Sequence, residues 1–312
     1  MKKKMILGMF LFASFSVFAE MEVERGYENF EFSTSYSHLQ SREKILSPYK
    51  EIHDFISLQN DFLYKQGTTL DWEKENIWRT YAIGGTGKKY KNTGGGILFY
   101  HAYDEGSYIG FQMEGREVKF TTYTEALKGI RGSIRFFFDK QQENGTRLFI
   151  TPYYIFDNVK KIQNKSIGIY AKQEIALDLS KYSLPEEGIK TYIEVDTHRN
   201  SVKKEKEVKD KHRNKNDSIR AGIGISYEEI FDDVGEFEIT PKMVLGYERE
   251  FLEKRKYRSI EIQEQDIDNA KISVGVDIRY KNVNLMIENM FLKSINTRNH
   301  ENRVQAILTY KF

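Results

Sequence analysis

The chain ends with Arg303-Val304-Gln305-Ala306-Ile307-Leu308-Thr309-Tyr310-Lys311-Phe312. Successive side chains of a β-strand point to opposite faces, so this stretch has one apolar and one polar face. The polar face is interrupted only by Ile307. An amphipathic strand that finishes on an aromatic residue predicts a membrane-crossing strand with one face in lipid. The apolar face carries Val304, Ala306, Leu308, Tyr310 and Phe312.

Similar alternation recurs from about residue 76 onward, in segments long enough for a tilted strand to cross a bilayer. It is clearest in 218–228 and 271–280, and 283–291 follows after a tight turn at Lys281 and Asn282. The 20 Tyr and 21 Phe suit the aromatic girdles of a barrel. The sequence therefore predicts an all-β, transmembrane antiparallel barrel at 76–312 with about 12 strands, and 14 as the alternative. Weaker candidate strands are 77–83, 97–103, 107–114, 117–124, 130–139, 147–156, 166–177, 189–197 and 237–247.

The segment ahead of the strands has a different character. Residues 1–19 combine a basic start, an apolar stretch and a small-residue cleavage pattern, which predicts a signal peptide. A short lead follows at 20–46, and 47–64 has apolar residues at helical spacing behind a Ser47-Pro48 cap. We expect one short amphipathic helix there, lying either in the barrel lumen or against the periplasmic side or a partner.

Composition argues against several kinds of chemistry. The chain has no cysteine, which excludes disulfides and thiolate sites, and its net charge of +2 does not indicate nucleic-acid binding. We expect neither a cofactor nor a metal. The glycine runs at 84–87 and 94–96 lack the ending of a phosphate loop and are interpreted as turns or kinks at strand ends.

A long charged stretch at 199–216 is predicted to be an outward loop. Its lysines and arginines suit contact with an anionic glycolipid or a host polymer, and they equally suit a solvated loop. Connections are expected to alternate in length, with short periplasmic turns and long outer loops.

The chain resembles the translocator domain of autotransporters. The resemblance rests on the helix at 47–64, on Asn76-Ile77-Trp78-Arg79, on the proline-to-Gly-Tyr-Glu segment 239–248, and most strongly on 306–312. It implies a 12-stranded barrel in the bacterial outer membrane with a helix threading the pore. It also implies contact with lipopolysaccharide and outer-membrane lipid, and with periplasmic chaperones. The last strand resembles the signal that the barrel-assembly machinery reads; normal amounts of folded barrel after deletion of Phe312 would contradict that role. Because only 20–46 precedes the helix, no large passenger is expected.

We expect a monomeric, non-enzymatic barrel with a structural and transport role. A passive porin and an adhesin acting through 199–216 are alternatives, and a rim protease is the least favoured. The protease hypothesis rests on Asp210-Lys211-His212 and Asp266-Ile267-Asp268, whose order along the chain is reversed from the omptin proteases that they resemble. Charges of both signs at predicted inward positions suit a closed lumen or a weakly selective pore. These lumen-lining candidates are Arg131, Arg135, Lys190, Glu194, Arg220, Asp277 and Arg279.

Overall fold

The computed structural model describes most of the chain from residue 75 onward. The described ranges are 75–87, 90–121, 126–142, 145–159, 162–177, 188–204, 214–234, 236–251, 254–257, 260–263, 268–295 and 300–312. The predicted signal peptide at 1–19, the lead at 20–46 and the helix at 47–64 lie outside these residues. Within the described part there is no helix long and apolar enough to cross a membrane.

Twelve long strands form a closed antiparallel barrel. Each long strand pairs with the next long strand along the chain, and the last, His300–Lys311, closes the barrel against the first, Asn76–Gly87. The predicted fold and the count of 12 are confirmed, and the alternative of 14 is wrong. The barrel strands are β1 (Asn76–Gly87), β2 (Tyr90–Asp104), β3 (Ser107–Thr121), β4 (Ala126–Gln141), β5 (Arg147–Val159), β6 (Ile162–Ala176), β7 (Ile189–Lys204), β8 (Asn214–Glu228), β10 (Phe237–Glu250), β13 (Asp268–Tyr280), β14 (Val283–Ser294) and β15 (His300–Lys311).

Three further strands are short and lie in the connections: β9 (Phe231–Val234), β11 (Lys254–Tyr257) and β12 (Ile260–Gln263). Strand β9 pairs with the start of β10, and β11 pairs with β12 as a separate hairpin between β10 and β13.

Burial alternates along the strands. In β5 every second residue from Arg147 to Val159 is buried, and the residues between them are exposed or half-buried. The outer faces carry large exposed apolar side chains on every barrel strand, which in water would favour aggregation but in lipid form the apolar belt of a membrane barrel. Examples are Trp78, Ile109, Phe136, Tyr154, Ile167, Ile193, Ile223, Leu245, Ile272, Ile287 and Leu308.

The inner face of β1–β6, β14 and β15 holds the apolar core. An arc of inward aromatic rings crosses five of these strands, with centroid distances of 4.8 Å for Tyr100 to Phe137 and 6.1 Å for Phe137 to Phe149. Tyr108 and Tyr170 flank these rings. Ile307, the apolar residue on the polar face of the last strand, is fully buried in this core.

The barrel has two distinct ends. We call the end with the turn at Lys281 and Asn282 the turn end, and the opposite end, with 205–213 and 251–267, the loop end. The expected alternation of connection lengths is wrong for much of the barrel. The turn-end connection 177–188 is longer than the loop-end connections 88–89, 122–125 and 160–161.

Three sequence interpretations are corrected. Half of the loop predicted at 199–216 is paired strand, because β7 runs to Lys204 and β8 starts at Asn214. The segment 107–114 and the part of 117–124 that the structure describes, 117–121, belong to the single strand β3. Glycines 94–96 are in the interior of β2 rather than at a turn, and Gly96 stands opposite Tyr81, whose ring needs the space of the missing side chain.

Candidate functional site: the charged inner wall

Buried charges of both signs line the inner face and fall into two groups. The first, which we call the paired wall, lies on β3, β4 and β5. The second, the shared wall, lies on β7, β8, β10 and β13. Inward position follows from strand alternation, because these charged residues have the same parity as the buried residues of each strand.

In the paired wall, one arginine holds one carboxylate. The Arg131 guanidinium contacts Asp157 through two bonds, Nε to Oδ1 at 2.5 Å and Nη2 to Oδ2 at 3.0 Å. Arg147 grips Asp139 in the same two-pronged way, at 2.8 and 2.5 Å. Arg131 and Asp157 are directly opposed on β4 and β5. Such parallel bonds match the fork of a guanidinium to a carboxylate and fix the orientation of both groups.

The third member of the paired wall is bound into a polar cluster. Arg116 pairs with Glu114 and donates a hydrogen bond to Asn92 at 3.1 Å. Glu114 accepts a hydrogen bond of 2.6 Å from the Tyr81 hydroxyl. Beside this cluster, Arg135 is fully buried, donates to Ser133 and Gln112, and lies 5.5 Å from the centre of the Tyr153 ring.

In the shared wall, cations bridge carboxylates from different strands. Lys271 Nζ lies 3.7 Å from Glu194 and 3.6 Å from Glu248. Glu194 also accepts a hydrogen bond of 2.7 Å from the Tyr170 hydroxyl, and Glu248 also contacts Arg220 at 3.5 Å. Each of these two carboxylates therefore has a second partner besides Lys271.

A second bridge runs closer to the turn end. Lys242 Nζ lies 3.3 Å from Asp277 and 3.6 Å from Glu228, and Lys190 lies 3.9 Å from the same Glu228. Cations and carboxylates thus alternate along these pairs across β7, β8, β10 and β13.

Glycines make the long reach of the shared wall possible. Strands β7 and β13 are separated by β8 and β10, yet Glu194 of β7 meets Lys271 of β13. Between them Gly222, Gly224 and Gly246 form a floor without side chains. A Cβ on Gly222 would lie 3.0 Å from the Glu194 carboxylate, and a Cβ on Gly224 would lie 2.6 Å from the Tyr192 ring. Side chains from β7 can therefore lie flat over two strands.

The structure places all seven sequence candidates on the inner face. Arg131 and Arg135 belong to the paired wall, and Lys190, Glu194, Arg220 and Asp277 to the shared wall. Arg279 is less buried and pairs with Glu238 at 2.9 Å. The sequence list omitted Asp157, Lys242, Lys271 and Glu248. Each of these residues lies at an inward position of the alternating strand pattern, so the sequence could have identified it as a candidate. Its partner could not be identified in this way, because the partner depends on strand register.

The apolar residues of the terminal strand lie at the closing seam of the barrel. Ala306, Leu308, Tyr310 and Phe312 are exposed on the outer face and Val304 is half-buried. The Phe312 amide donates to the Trp78 carbonyl at 3.1 Å, which extends the pairing with β1. A role of this face as an assembly signal stays a prediction.

The proposed protease motifs fall almost entirely outside the described residues, since of the two only Asp268 is described. Asp268 accepts a hydrogen bond from the Tyr247 hydroxyl and lies 3.8 Å from Arg249. Among the described residues, no cluster of three or more His, Asp or Glu side chains is placed to hold a metal ion.

Comparison with known proteins identifies the fold. No family model matches the sequence, and neither does any curated protein. Among solved structures, the translocator domain of the autotransporter NalP from Neisseria meningitidis matches with a TM-score of 0.58 at 8% identity, covering 86% of this chain and 99% of that one. The β domain of the Bordetella autotransporter BrkA matches with a TM-score of 0.51 at 11% identity, covering 77% of this chain and 100% of that domain.

At such low identity the likeness establishes the fold alone. That fold is the autotransporter-type translocator barrel, as the sequence resemblance implied. Together with the apolar belt, it makes the chain a β-barrel of the bacterial outer membrane.

Proposed function

We propose that the protein is a transport barrel of the translocator type, whose charged inner wall surrounds a polypeptide segment. The observation that carries the proposal is the fold: the twelve-strand barrel matches two autotransporter translocator domains over nearly the whole of their length. The segment proposed to occupy the lumen is 47–64, the amphipathic stretch that precedes β1 in the sequence.

The inner walls support this proposal through their charge pattern. A polypeptide in a membrane barrel needs polar surroundings for its backbone, and the paired and shared walls supply both donors and acceptors. Four buried cations, Arg131, Arg147, Lys242 and Lys271, already pair with carboxylates. These pairs keep the net charge of the wall low, so the wall would not trap a passing segment.

Conductance in planar bilayers tests the proposal. We expect the full chain to give little steady current, because the segment 47–64 blocks the lumen, and we expect its deletion to open a persistent ohmic channel. The matched control removes 18 residues from the lead instead, at 20–37, and should leave the current low. Deletion of 47–64 without any rise in conductance contradicts the lumen segment.

A passive porin is the second candidate, and the mixed charge of the inner wall favours it over a strongly selective channel. The same recording separates the two functions. Steady open-channel current from the full chain, with weak preference between cations and anions, supports the porin and counts against the translocator type.

A further inference from the structure

Three lysines form an unbroken row on the outer wall of the barrel near the loop end. Lys91 of β2 is directly opposed to Lys119 of β3, and Lys119 is directly opposed to Lys128 of β4. Their chain neighbours Asn92, Val118 and Leu127 are buried on the inner side, so the lysines point outward. Directly opposed residues have Cβ atoms about 4.5 to 5.5 Å apart, a spacing at which like charges repel.

The part of the chain that the structure describes contains no counter-charge paired with this row. Among the described residues, none of the three lysines has an ion pair or hydrogen bond through its side chain. Glu117 is on the same outer face, two residues before Lys119, and also has no ion pair within the described part. This contrasts with the inner walls, where every lysine and arginine discussed above has a carboxylate or polar partner. The outer row therefore keeps an excess of positive charge.

The position of the lysine row along the barrel axis indicates which layer of the membrane surrounds it. Along the outer face of β3, Ile109, Phe111 and Met113 lie in the apolar belt, and Lys119 follows toward the loop end. Ten residues separate Ile109 from Lys119, about 33 Å along the strand, which a tilt of roughly 40° reduces to about 25 Å along the barrel axis. That rise equals the height of a typical apolar belt, about 25 Å. The lysines thus lie where lipid headgroups begin.

A shallow depression leads from the row into the belt. Gly95 and Gly115 are directly opposed on β2 and β3, and Ala82 of β1 is opposed to Gly95. Nothing lies within 4 Å of the place that a Cβ on Gly115 would take, so the outer surface is open there. The depression has room for hydrocarbon four residues below the charged row, with Thr93 and Glu117 between them on the outer face.

We propose that the outer wall of β2, β3 and β4 binds a phosphorylated lipid of the surrounding leaflet. Its phosphate oxygens accept hydrogen bonds from Lys91, Lys119 and Lys128, and its acyl chain lies over Gly95 and Gly115. A phosphate suits this row because one anion relieves the repulsion between neighbouring ammonium groups. The proposal requires the outer-membrane location and is independent of what crosses the lumen.

Lipid retention tests the site. The full chain is placed in phosphatidylcholine nanodiscs doped with bisphosphorylated lipid A, extracted into detergent, and examined by native mass spectrometry. We expect the wild-type barrel to retain lipid A, and the triple variant K91Q, K119Q and K128Q to retain it at least tenfold less. The matched control, K140Q, K281Q and K293Q, removes three exposed lysines elsewhere on the barrel and should retain lipid A like the wild type. Heat-modifiable migration checks that all three barrels are folded.

Two further arms identify the ligand. Lipid A stripped of its phosphates should be retained no better by the wild type than by the triple variant. Inorganic phosphate at millimolar concentration should not displace the retained lipid, because the acyl chain contributes to binding. The proposal is overturned if the wild type and the triple variant retain equal amounts of lipid A. It is also overturned if the matched control loses as much lipid A as the triple variant, or if inorganic phosphate displaces all of the retained lipid.

Discussion

The paired wall holds its carboxylates with arginine, whereas the shared wall holds them mainly with lysine. In the paired wall, Arg131 and Arg147 each grip a single carboxylate with two bonds. In the shared wall, Lys242 and Lys271 each stand between two carboxylates at 3.3 to 3.7 Å. A planar guanidinium saturates one carboxylate, while an ammonium is a compact charge that two carboxylates can approach.

This difference predicts how much stability the barrel loses when a cation of either wall is replaced. Removing a cation from the paired wall leaves one carboxylate buried without a counter-charge. Removing Lys271 from the shared wall leaves two carboxylates that each keep another partner. We therefore expect local, severe effects in the first wall and smaller, distributed effects in the second.

The largest effect is expected in the paired wall, for Arg131→Met. Asp157 is then left buried, with no other ion pair to a described residue, and such a loss costs about 3 to 5 kcal/mol of the free energy of unfolding. Urea titration in detergent micelles, followed by tryptophan fluorescence, measures it.

The double variant Arg131→Met with Asp157→Leu is the control. Replacing both charges by apolar groups should recover most of the lost stability, because the desolvation cost of the carboxylate disappears as well. A double variant as unstable as the single one would show that the pair contributes through packing rather than charge.

An intermediate effect is expected in the shared wall, for Lys271→Met. Glu194 keeps the Tyr170 hydroxyl and Glu248 keeps Arg220, so the loss should be about 2 kcal/mol, below that of Arg131→Met. The same titration applies, with Lys281→Met as control, since this turn lysine is 70% exposed. A loss for Lys271→Met as large as that for Arg131→Met would abolish the distinction between the walls.

The smallest of the three effects is expected in the glycine floor, for Gly224→Ala. The new methyl group meets the Leu245 carbonyl and the Tyr192 ring, so β7 must shift, at a cost of about 1 to 2 kcal/mol. Gly115→Ala on the outer face is the matched control and should change stability by less than about 0.5 kcal/mol, since its surroundings are open. If both variants lose the same free energy of unfolding, the cause is the change in strand propensity and not a steric clash at the glycine floor.

The sequence revealed the outer face better than the inner one. Lipid accepts only apolar side chains, so alternation along 218–228 and 271–280 was enough to predict β8 and β13 and the direction of their side chains. The partners inside the barrel depend on register. Arg131 meets Asp157 only because β4 and β5 pair with these residues opposed, and the chain offers many such registers.

The contacts of the shared wall were even harder to predict from the sequence. Lys271 reaches Glu194 across two intervening strands, and that contact depends on glycines whose role is visible only once the strands are placed. The ends of β7 and β8 were missed for a different reason. Hydrophobic alternation fades above the membrane, whereas the backbone hydrogen bonds of Arg199 and its neighbours to β8 continue there.

The seam between β1 and β15 also governs the order in which the molecule can form. Its two strands come from opposite ends of the described chain, so their pairing is the most non-local of the barrel. Until that contact is made, the free edges of β1 and β15 expose unpaired backbone groups that hydrocarbon cannot satisfy. We therefore expect closure to be a late and cooperative step, because it alone removes both unpaired edges.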